Sequence, residues 1–267
     1  MLLSGLLGAG SNASAAGSDL NAARLKEKII LRTDVQSRIP KVAPPKDGKG
    51  YPWKTGIMAT VFWVGETPTA NNPVPNDKSS WDQKWARNYG GFDNPDPRAR
   101  RGYLPARFVP QQNPFYIALP YNDVSGGKTK REAAEVIPWF KSSFVREGQS
   151  VCKGRWVAIR YQGREVYAQW EDCGPFRTDH WEYVFGHERP RPNLNRGAGI
   201  DVSPAVRDYL GMPSNVPVDW RFVEFSQVPR GPWSTHGDNN TFVQLKREAE
   251  VRLAAAGRAG GATTNAN

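Results

Sequence analysis

The sequence of 267 residues is poor in metal-binding side chains and in long apolar runs. It holds two cysteines, too few for a metal site on their own, and three histidines, which fit no metal-binding spacing and are expected at the surface. Because a zinc site uses about four ligands, we expect no metal, and we expect no other cofactor. No run of about 18 apolar residues occurs, so no transmembrane helix is predicted. The composition excludes a membrane bundle, a coiled coil and a collagen.

Acidic residues are outnumbered by basic ones. The 36 lysines and arginines against 26 aspartates and glutamates give a net charge of +10. A basic surface attracts polyanions, so the candidate partners are nucleic acid, anionic lipid and an anionic cell-wall polymer, with solubility alone as the alternative. No base-reading motif accompanies the basic residues, so nucleic acid is the least favoured partner. The densest basic patch consists of Arg98, Arg100, Arg101 and Arg107.

The length predicts one or two domains. A short apolar stretch followed by Ala13-Ser14-Ala15 is typical of the end of a secretory signal, although no basic residues precede it. We therefore expect a secreted or envelope protein. Three regions are predicted: a signal-like segment and extension over 1–50, a folded domain over 51–232 with insertions at about 71–110 and 122–150, and a tail over 233–267 with a helix at 241–256 and then disorder.

Short apolar stretches between segments rich in Gly, Pro and Asn indicate a mainly β fold, which predicts a small β-barrel rather than an α/β sheet. One helix is well marked, because Ser203 suits an N-cap, Pro204 the first helical position and Gly211 the end. Strands are predicted at 56–65, 113–120, 199–202 and 219–226, and further short helices at 80–89 and 130–136.

A β-hairpin is predicted over 155–172, with Gln162-Gly163 as a two-residue turn. Counted back from this turn, Cys152 and Cys173 face each other at a non-hydrogen-bonded position, where Cα atoms approach to ~4.5 Å. That distance lies in the ~4.4–6.8 Å range of disulfides, so we predict a Cys152–Cys173 disulfide. A bulge at Gly154 would break this register, and two free thiols are the alternative.

Two aspartates follow predicted strands. Asp172 ends the hairpin on the same face as Trp170, where desolvation would raise its pKa, as a general acid needs. Asp201 ends another strand just before the helix, whose N-terminus favours the charged form. Two carboxylates under opposed pKa pressures suit glycosidic bond cleavage. Alternatively both are structural, with Asp172 bonding backbone N–H groups of the turn and Asp201 bracing the helix start.

Two segments resemble the rare lipoprotein A-like family. Glu171-Asp172-Cys173-Gly174-Pro175-Phe176 resembles its Asp-Arg-Gly-Pro-Phe motif. Gly199-Ile200-Asp201-Val202-Ser203, followed by Ala205 and Leu210-Gly211, is similar to its Ile-Asp-Leu-Ser…Ala…Leu-Gly segment. The resemblance spans roughly residues 56–226. Weaker matches are Gln162-Gly163-Arg164, Ala118-Leu119-Pro120 and Ala59-Thr60-Val61-Phe62-Trp63.

The family has a six-stranded double-psi β-barrel, shared with expansins, barwin-like proteins, barrel-type endoglucanases and membrane-bound lytic transglycosylase A. The resemblance therefore implies a polysaccharide ligand and, as in characterised members, peptidoglycan cleavage, with Asp172 and Asp201 as catalytic residues. Flat aromatic faces suit sugar rings, and we expect substrate binding by Trp63, Tyr116, Trp170 and Phe176.

The sequence departs from the family at two positions. The family has a His shortly before its Leu-Pro, and this sequence has Phe115-Tyr116-Ile117 there instead. The family's Glu after Thr-Ala-Asn-Gly also has no match, because Glu66 lies at a different place in the sequence. Three functions are therefore in competition: a glycan-cleaving lytic transglycosylase or hydrolase, a non-catalytic expansin-like binder, which the departures favour, and a nucleic-acid binder. We expect a monomer acting on cell-wall glycan.

Overall fold

The computed structural model describes residues 50–69, 72 and 74–261. These residues belong to one compact unit. The predicted signal-like segment and part of the predicted disordered end lie outside the described residues. Within them, no helix combines the length and the apolar character needed to span a membrane.

Six strands close into a barrel, in the order β1-β10-β7-β8-β4-β9. The pairs β4–β8 and β1–β9 are parallel, and the other four pairs are antiparallel. The predicted mainly β, six-stranded barrel with long loops is confirmed. The strands of the described residues are β1 Lys54–Val61, β2 Arg100–Arg101, β3 Leu104–Pro105, β4 Tyr116–Leu119, β5 Val124–Ser125, β6 Lys128–Thr129, β7 Trp156–Tyr161, β8 Arg164–Cys173, β9 Ile200–Val202 and β10 Val216–Phe222.

Short helices occupy the connections. The α-helices of the described residues are α1 Trp85–Tyr89, α2 Ala133–Val136, α3 Phe140–Ser143, α4 Trp181–Val184, α5 Pro204–Leu210 and α6 Thr241–Gly261. Helix α5 is bounded as predicted, because Ser203 Oγ accepts the Val206 N–H at 3.3 Å and Gly211 has a left-handed φ of 66°. Helix α6 starts at the predicted residue and continues past the predicted end. Short 3₁₀ turns cover Pro97–Ala99, Phe225–Gln227 and Pro232–Ser234.

The hairpin β7–β8 has the predicted register. Its ladder runs from the pair Tyr161 and Arg164 to the pair Trp156 and Gln169. The turn residues Gln162 and Gly163 have φ values of 45° and 79°. Two positive φ angles are typical of a type I′ turn, whose twist matches that of the flanking strands.

The predicted disulfide is not formed, because Cys152 and Cys173 are both free. At the open end of the hairpin, Gly154 has a φ of 79° and its N–H donates to the Trp170 carbonyl at 2.8 Å. The Trp170 N–H donates instead to the carbonyl of Arg155, so two residues oppose one and form a β-bulge. Cys152 thereby leaves the ladder, and Cys173 pairs with β4.

An aromatic cluster packs the first insertion onto the barrel. Phe62 and Tyr116 of the barrel segments meet Trp85 and Tyr89 of α1, and Ala118 closes the cluster. The ring centroids of Trp85 and Tyr116 are 5.3 Å apart, with the rings edge to face. Such contacts add to the stability gained from burial. The insertion is therefore a fixed wall beside β4.

A buried ion pair reinforces this attachment. The Arg100 side chain is 2% exposed and bonds Asp93 at 2.5 Å and Asp208 of α5 at 2.7 Å. Arg98 is paired with Asp96 at 2.8 Å. Two members of the predicted basic patch are thus engaged with acidic partners inside the chain, and Arg100 is out of reach of a polyanion.

Candidate active site

The barrel register places the two predicted aspartates beside the same residue. Ala118 of β4 is the partner of Asp172 on β8 and of Asp201 on β9. Paired residues have side chains on the same face, and neighbouring strands lie ~4.8 Å apart. The two carboxylates therefore flank Ala118 on one face of the sheet, with Cα atoms at most roughly 10 Å apart. The small alanine side chain leaves room between them.

A β-bulge decides which face Asp172 occupies. Ile117 pairs with Trp170, and the next residue, Ala118, pairs with Asp172, so Glu171 is an extra residue of β8. Asp172 consequently lies on the opposite face from Trp170. Strict alternation predicts the same face for both, and that prediction is wrong. The bulge turns Asp172 toward the insertion, against which Ala118 packs.

Both aspartates open into a cleft with a volume of about 740 Å³. Its walls come from the end of β1, from residues 74–80 of the insertion and from the loop that follows β8. This volume is within the ~300–1,000 Å³ typical of ligand-binding pockets. The cleft can therefore hold a few units of an extended ligand beside the carboxylates.

Asp201 has the properties of a proton donor. Its register partner Thr60 donates a hydrogen bond from Oγ1 to Oδ1 of Asp201. Burial raises the pKa of Asp201 from 3.8 to about 7, the Thr60 hydrogen bond opposes the shift, and the charges of Glu66 and Asp172 add to it. Burial thus opposes the predicted influence of the helix N-terminus, which favours the charged form of Asp201. A carboxyl group with this pKa still holds a proton near neutral pH.

Asp172 is also buried, with 8% of the residue exposed. Its Oδ1 accepts the backbone N–H groups of Ser80 and Cys173, each at 2.7 Å. Burial raises the pKa of Asp172 to about 6, although these hydrogen bonds lower it. The predicted direction of the shift is confirmed, and so are backbone bonds of the kind expected from a structural role.

A third carboxylate, Glu66, is absent from the predicted site residues. It lines the same cleft, and Asn76 Nδ2 donates a hydrogen bond to its Oε2 at 2.8 Å. Burial raises the pKa of Glu66, while hydrogen bonds from Asn76 and Asn72 oppose the shift. A signal for it exists in the sequence, because Glu66 closely follows the strand that carries Thr60. A turn beginning at Trp63 brings it back over the cleft.

The four aromatic residues predicted to bind substrate differ in exposure and in whether they line the cleft. Tyr116 and Trp170 are 1% and 0% exposed and belong to the core. Neither has a face open to a sugar, so their predicted binding role is wrong. Trp63 is half-buried and does not line the cleft. Phe176 is 49% exposed and lines the cleft, where a ligand can reach its ring.

The loop after β8 brings its backbone close to the carboxylates. A Cβ placed on Gly174 would lie 3.4 Å from Oδ2 of Asp201. Phe176 follows with a φ of 60°, in the left-handed region that bulky side chains rarely adopt. Strain of this kind is concentrated at functional sites, where surrounding structure holds it in place.

The histidines do not complete a metal site. Within the described parts of the chain, no group of three or more His, Cys, Asp or Glu side chains is arranged to hold a metal ion. His180 is 1% exposed, unlike the expected surface position, and its Nε2 lies 3.0 Å from Oε2 of Glu188.

Comparison of the sequence with family models and with curated proteins finds no match. The class that the fold and the site define is a closed six-stranded barrel with four carboxyl groups in one open cleft, those of Glu66, Asp77, Asp172 and Asp201.

Proposed function

We propose that this chain is a secreted or envelope double-psi barrel protein that cleaves glycosidic bonds in a cell-wall polysaccharide. The observation that carries the proposal is the placement of Asp172, Asp201 and Glu66 in one open cleft. The pKa values of Asp172 and Asp201 are raised to about 6 and about 7, which suits carboxyl groups that exchange protons near neutral pH.

The double-psi assignment is supported by the strand pairing together with the two motif segments. The barrel contains two parallel pairs, β4–β8 and β1–β9. One pair carries the segment around Asp172, and the other carries the segment around Asp201. Both segments that resemble the rare lipoprotein A-like family therefore meet at one cleft.

Asp201 is the better proton donor in this site. In a transglycosylase route, it protonates the glycosidic oxygen while the bond from that oxygen to the anomeric carbon breaks. Its carboxylate then takes the proton from a hydroxyl group of the same sugar, and that oxygen bonds to the anomeric carbon. The product has an anhydro end, and no water is consumed. One acid/base group suffices for this route.

In a hydrolytic route a second carboxylate is needed, and Asp172 supplies it. Two carboxyl groups about 5–5.5 Å apart suit a covalent intermediate, and a separation of ~6.5–9.5 Å leaves room for an attacking water. The backbone N–H groups of Ser80 and Cys173 hold the Asp172 carboxylate in a fixed orientation. Preorganised groups of this kind lower the barrier without reorganising during reaction.

A non-catalytic polysaccharide binder is the second candidate. In the described parts of the chain, no histidine lines the cleft, while the ring of Phe176 is open to it. A binder needs such a surface and needs no proton donor.

The test is mass spectrometry of purified peptidoglycan and of cellulose after incubation with the protein. Asp172→Asn and Asp201→Asn are compared with Asp96→Asn, which alters an exposed carboxylate paired with Arg98 away from the cleft. We expect anhydro or new reducing ends from the unaltered protein and from Asp96→Asn. We expect these products to be lost in Asp201→Asn.

Products that persist in both cleft variants would overturn the assignment of the acid. If no products form and the protein pellets with one polymer even at high salt, the enzymatic function is refuted and the non-catalytic binder is supported. Neutral-sugar binding of that kind would also separate the protein from a nucleic-acid binder, whose affinity falls steeply with salt.

A further inference from the structure

A second, smaller pocket adjoins the cleft. Its volume is about 170 Å³, and it shares Pro175, Phe176 and Arg177 with the cleft wall. At ~30 Å³ per water molecule, this space holds about five or six waters. A substituent on a bound glycan fits there, but a polymer chain does not. A ligand lying in the cleft reaches this pocket across Phe176.

The charged side chains that line this smaller pocket are basic. They are Arg177 and Arg191, and no acidic side chain of residues 74–261 lines it. Arg177 is engaged in part, because its Nε donates to Oδ1 of Asp179 at 3.1 Å. No acidic side chain among the described residues forms an ion pair with Arg191. Arg191 is therefore the guanidinium that remains for a ligand.

The backbone that carries Arg191 is held in place. Pro190 precedes it and Pro192 follows it, and a following proline restricts the preceding residue to extended conformations. The Asn193 side chain accepts the Ala198 N–H at 3.1 Å and donates to the Ala198 carbonyl at 2.9 Å. A loop fixed in this way reduces the entropy lost when a ligand binds.

The remaining walls are mostly apolar. Four prolines and the ring of Phe176 surround the two arginines, and Ala198 lies among them. Arg191 is exposed and the Arg177 side chain is 39% exposed, so water partly screens their attraction for an anion. Because guanidinium groups bond carboxylates with two parallel hydrogen bonds, a carboxylate is the ligand group that this chemistry favours.

The cleft itself disfavours a negative charge. Acidic groups outnumber basic ones there, so a carboxylate on the ligand is disfavoured beside the reacting bond. The charged side chains that line the cleft are Glu66, Asp77, Asp172 and Asp201 against Lys78 and Arg177. The smaller pocket offers the opposite sign a short distance away. This difference would place an acidic substituent in the smaller pocket and thereby set the register of the glycan in the cleft.

We propose that this smaller pocket, which we call the arginine pocket, binds the carboxylate of an acidic sugar, with Arg191 as its main ligand contact. The inference rests on the proposed function and adds the substrate class, a glycan that carries carboxylates. Two sources share this chemistry, a uronic acid and a lactyl ether on an amino sugar.

The test is calorimetric titration of the full chain carrying Asp201→Asn, so that no glycan is consumed. The probes are a neutral tetramer of N-acetylglucosamine, a tetragalacturonate, and an alternating tetramer of N-acetylglucosamine and N-acetylmuramic acid. Arg191→Gln is compared in this background with Arg196→Asn. Arg196 lies on the same loop, lines neither pocket and has a φ of 57°, which asparagine tolerates.

We expect at least one acidic tetramer to bind more tightly than the neutral one. Arg191→Gln should weaken that binding about tenfold or more, as expected for loss of a hydrogen bond between charged groups. It should leave binding of the neutral tetramer unchanged, which also shows that the variant is folded. Arg196→Asn should change either affinity by less than about twofold. The acidic tetramer that responds identifies the source of the carboxylate.

Equal losses in Arg191→Gln and Arg196→Asn would overturn the inference, because general charge attraction would then explain the binding. Equal binding of neutral and acidic tetramers, or no binding of any tetramer, would overturn it as well. Cleavage of glycan without dependence on Arg191 would leave the proposed function standing and remove the arginine pocket. If binding depends on Arg191 but no glycan is cleaved, the arginine pocket is supported and the proposed enzymatic function is refuted.

Discussion

Replacing Asp201 by asparagine should make the stability of the fold less dependent on pH. Relative to the unaltered protein, the variant should be more stable at alkaline pH than at acidic pH. The pKa of Asp201 in the folded chain is about 7, against an ordinary value of 3.8. Because the folded pKa is raised, protonation of Asp201 stabilises the fold fully below about pH 3.8. That stabilisation is lost as the pH rises toward 7.

The size of this effect follows from the two pKa values. Between about pH 5 and pH 7 the free energy of unfolding falls by roughly 1.36 kcal/mol per pH unit, and above pH 7 the loss levels off. Asp201 therefore lowers the stability of the unaltered protein by roughly 2–3 kcal/mol between about pH 5 and pH 8. The asparagine side chain of the variant does not titrate, so the variant lacks this loss.

Urea unfolding of both proteins at about pH 5 and pH 8, at one ionic strength, measures the effect. The difference in stability between variant and unaltered protein should grow by roughly 2–3 kcal/mol from the lower to the higher pH. Comparing two pH values removes any constant effect of asparagine on packing. Asp96→Asn serves as the control, because Asp96 is exposed and its pKa is lowered by hydrogen bonds from Arg98. The same pH dependence in Asp201→Asn and in the unaltered protein would refute the burial argument.

Three further predictions concern stability and binding. Arg100→Met should lower the free energy of unfolding by about 3–5 kcal/mol, because Asp93 would be left as a buried charge without its partner; a loss below about 1 kcal/mol on urea unfolding would contradict this. Phe176→Gly should weaken pelleting with polysaccharide yet stabilise the chain by about 1 kcal/mol, since glycine adopts a φ of 60° without strain; weaker binding together with lower stability would argue against it. Dithiothreitol should leave the Tm unchanged, because Cys152 and Cys173 are free, and a fall of several degrees would reveal a disulfide.

Local patterns predicted the parts of the fold that depend on neighbours in the chain. The register of β7 and β8 follows from the two-residue turn at Gln162 and Gly163, and both residues adopt the required φ angles. The bounds of α5 follow from Ser203 and Gly211. The number of barrel strands was available only through the family resemblance, whereas the short apolar stretches between breakers predicted a small barrel in general.

Shifts of strand register were predicted less well, since the bulge in β8 was missed and the bulge at Gly154 stood only as the alternative to a disulfide. The face occupied by Asp172 is set by its pairing with β4, where Glu171 becomes an extra residue. The bulge at Gly154 separates the cysteines, although the pairing rule holds for every residue pair of the ladder before it. In both places a single residue shifts the register, and hydrophobic alternation alone does not reveal such a shift.

The candidate site was predicted in part for the same reason. Asp172 and Asp201 were recognisable because each follows an apolar strand and lies in a motif. Glu66 was not, because a turn and the packing of an insertion bring it over the cleft. Tyr116 looked available for sugar binding, but the insertion covers it, which shows that burial of an aromatic side chain depends on segments far along the chain.

Because Asp172 and Asp201 both pair with Ala118, the backbone positions of the two carboxyl groups are set by different parts of the chain from the walls that contact a ligand. Backbone hydrogen bonds of β4 to β8 and β9 fix how far apart the Cα atoms of Asp172 and Asp201 stand, and Ser80 of the insertion orients only the Asp172 carboxylate. The insertion and the loop carrying Arg191 form the walls instead. Those walls can therefore be exchanged, in evolution or by design, to suit ligands of other charge and width while the backbone spacing of the two aspartates stays the same.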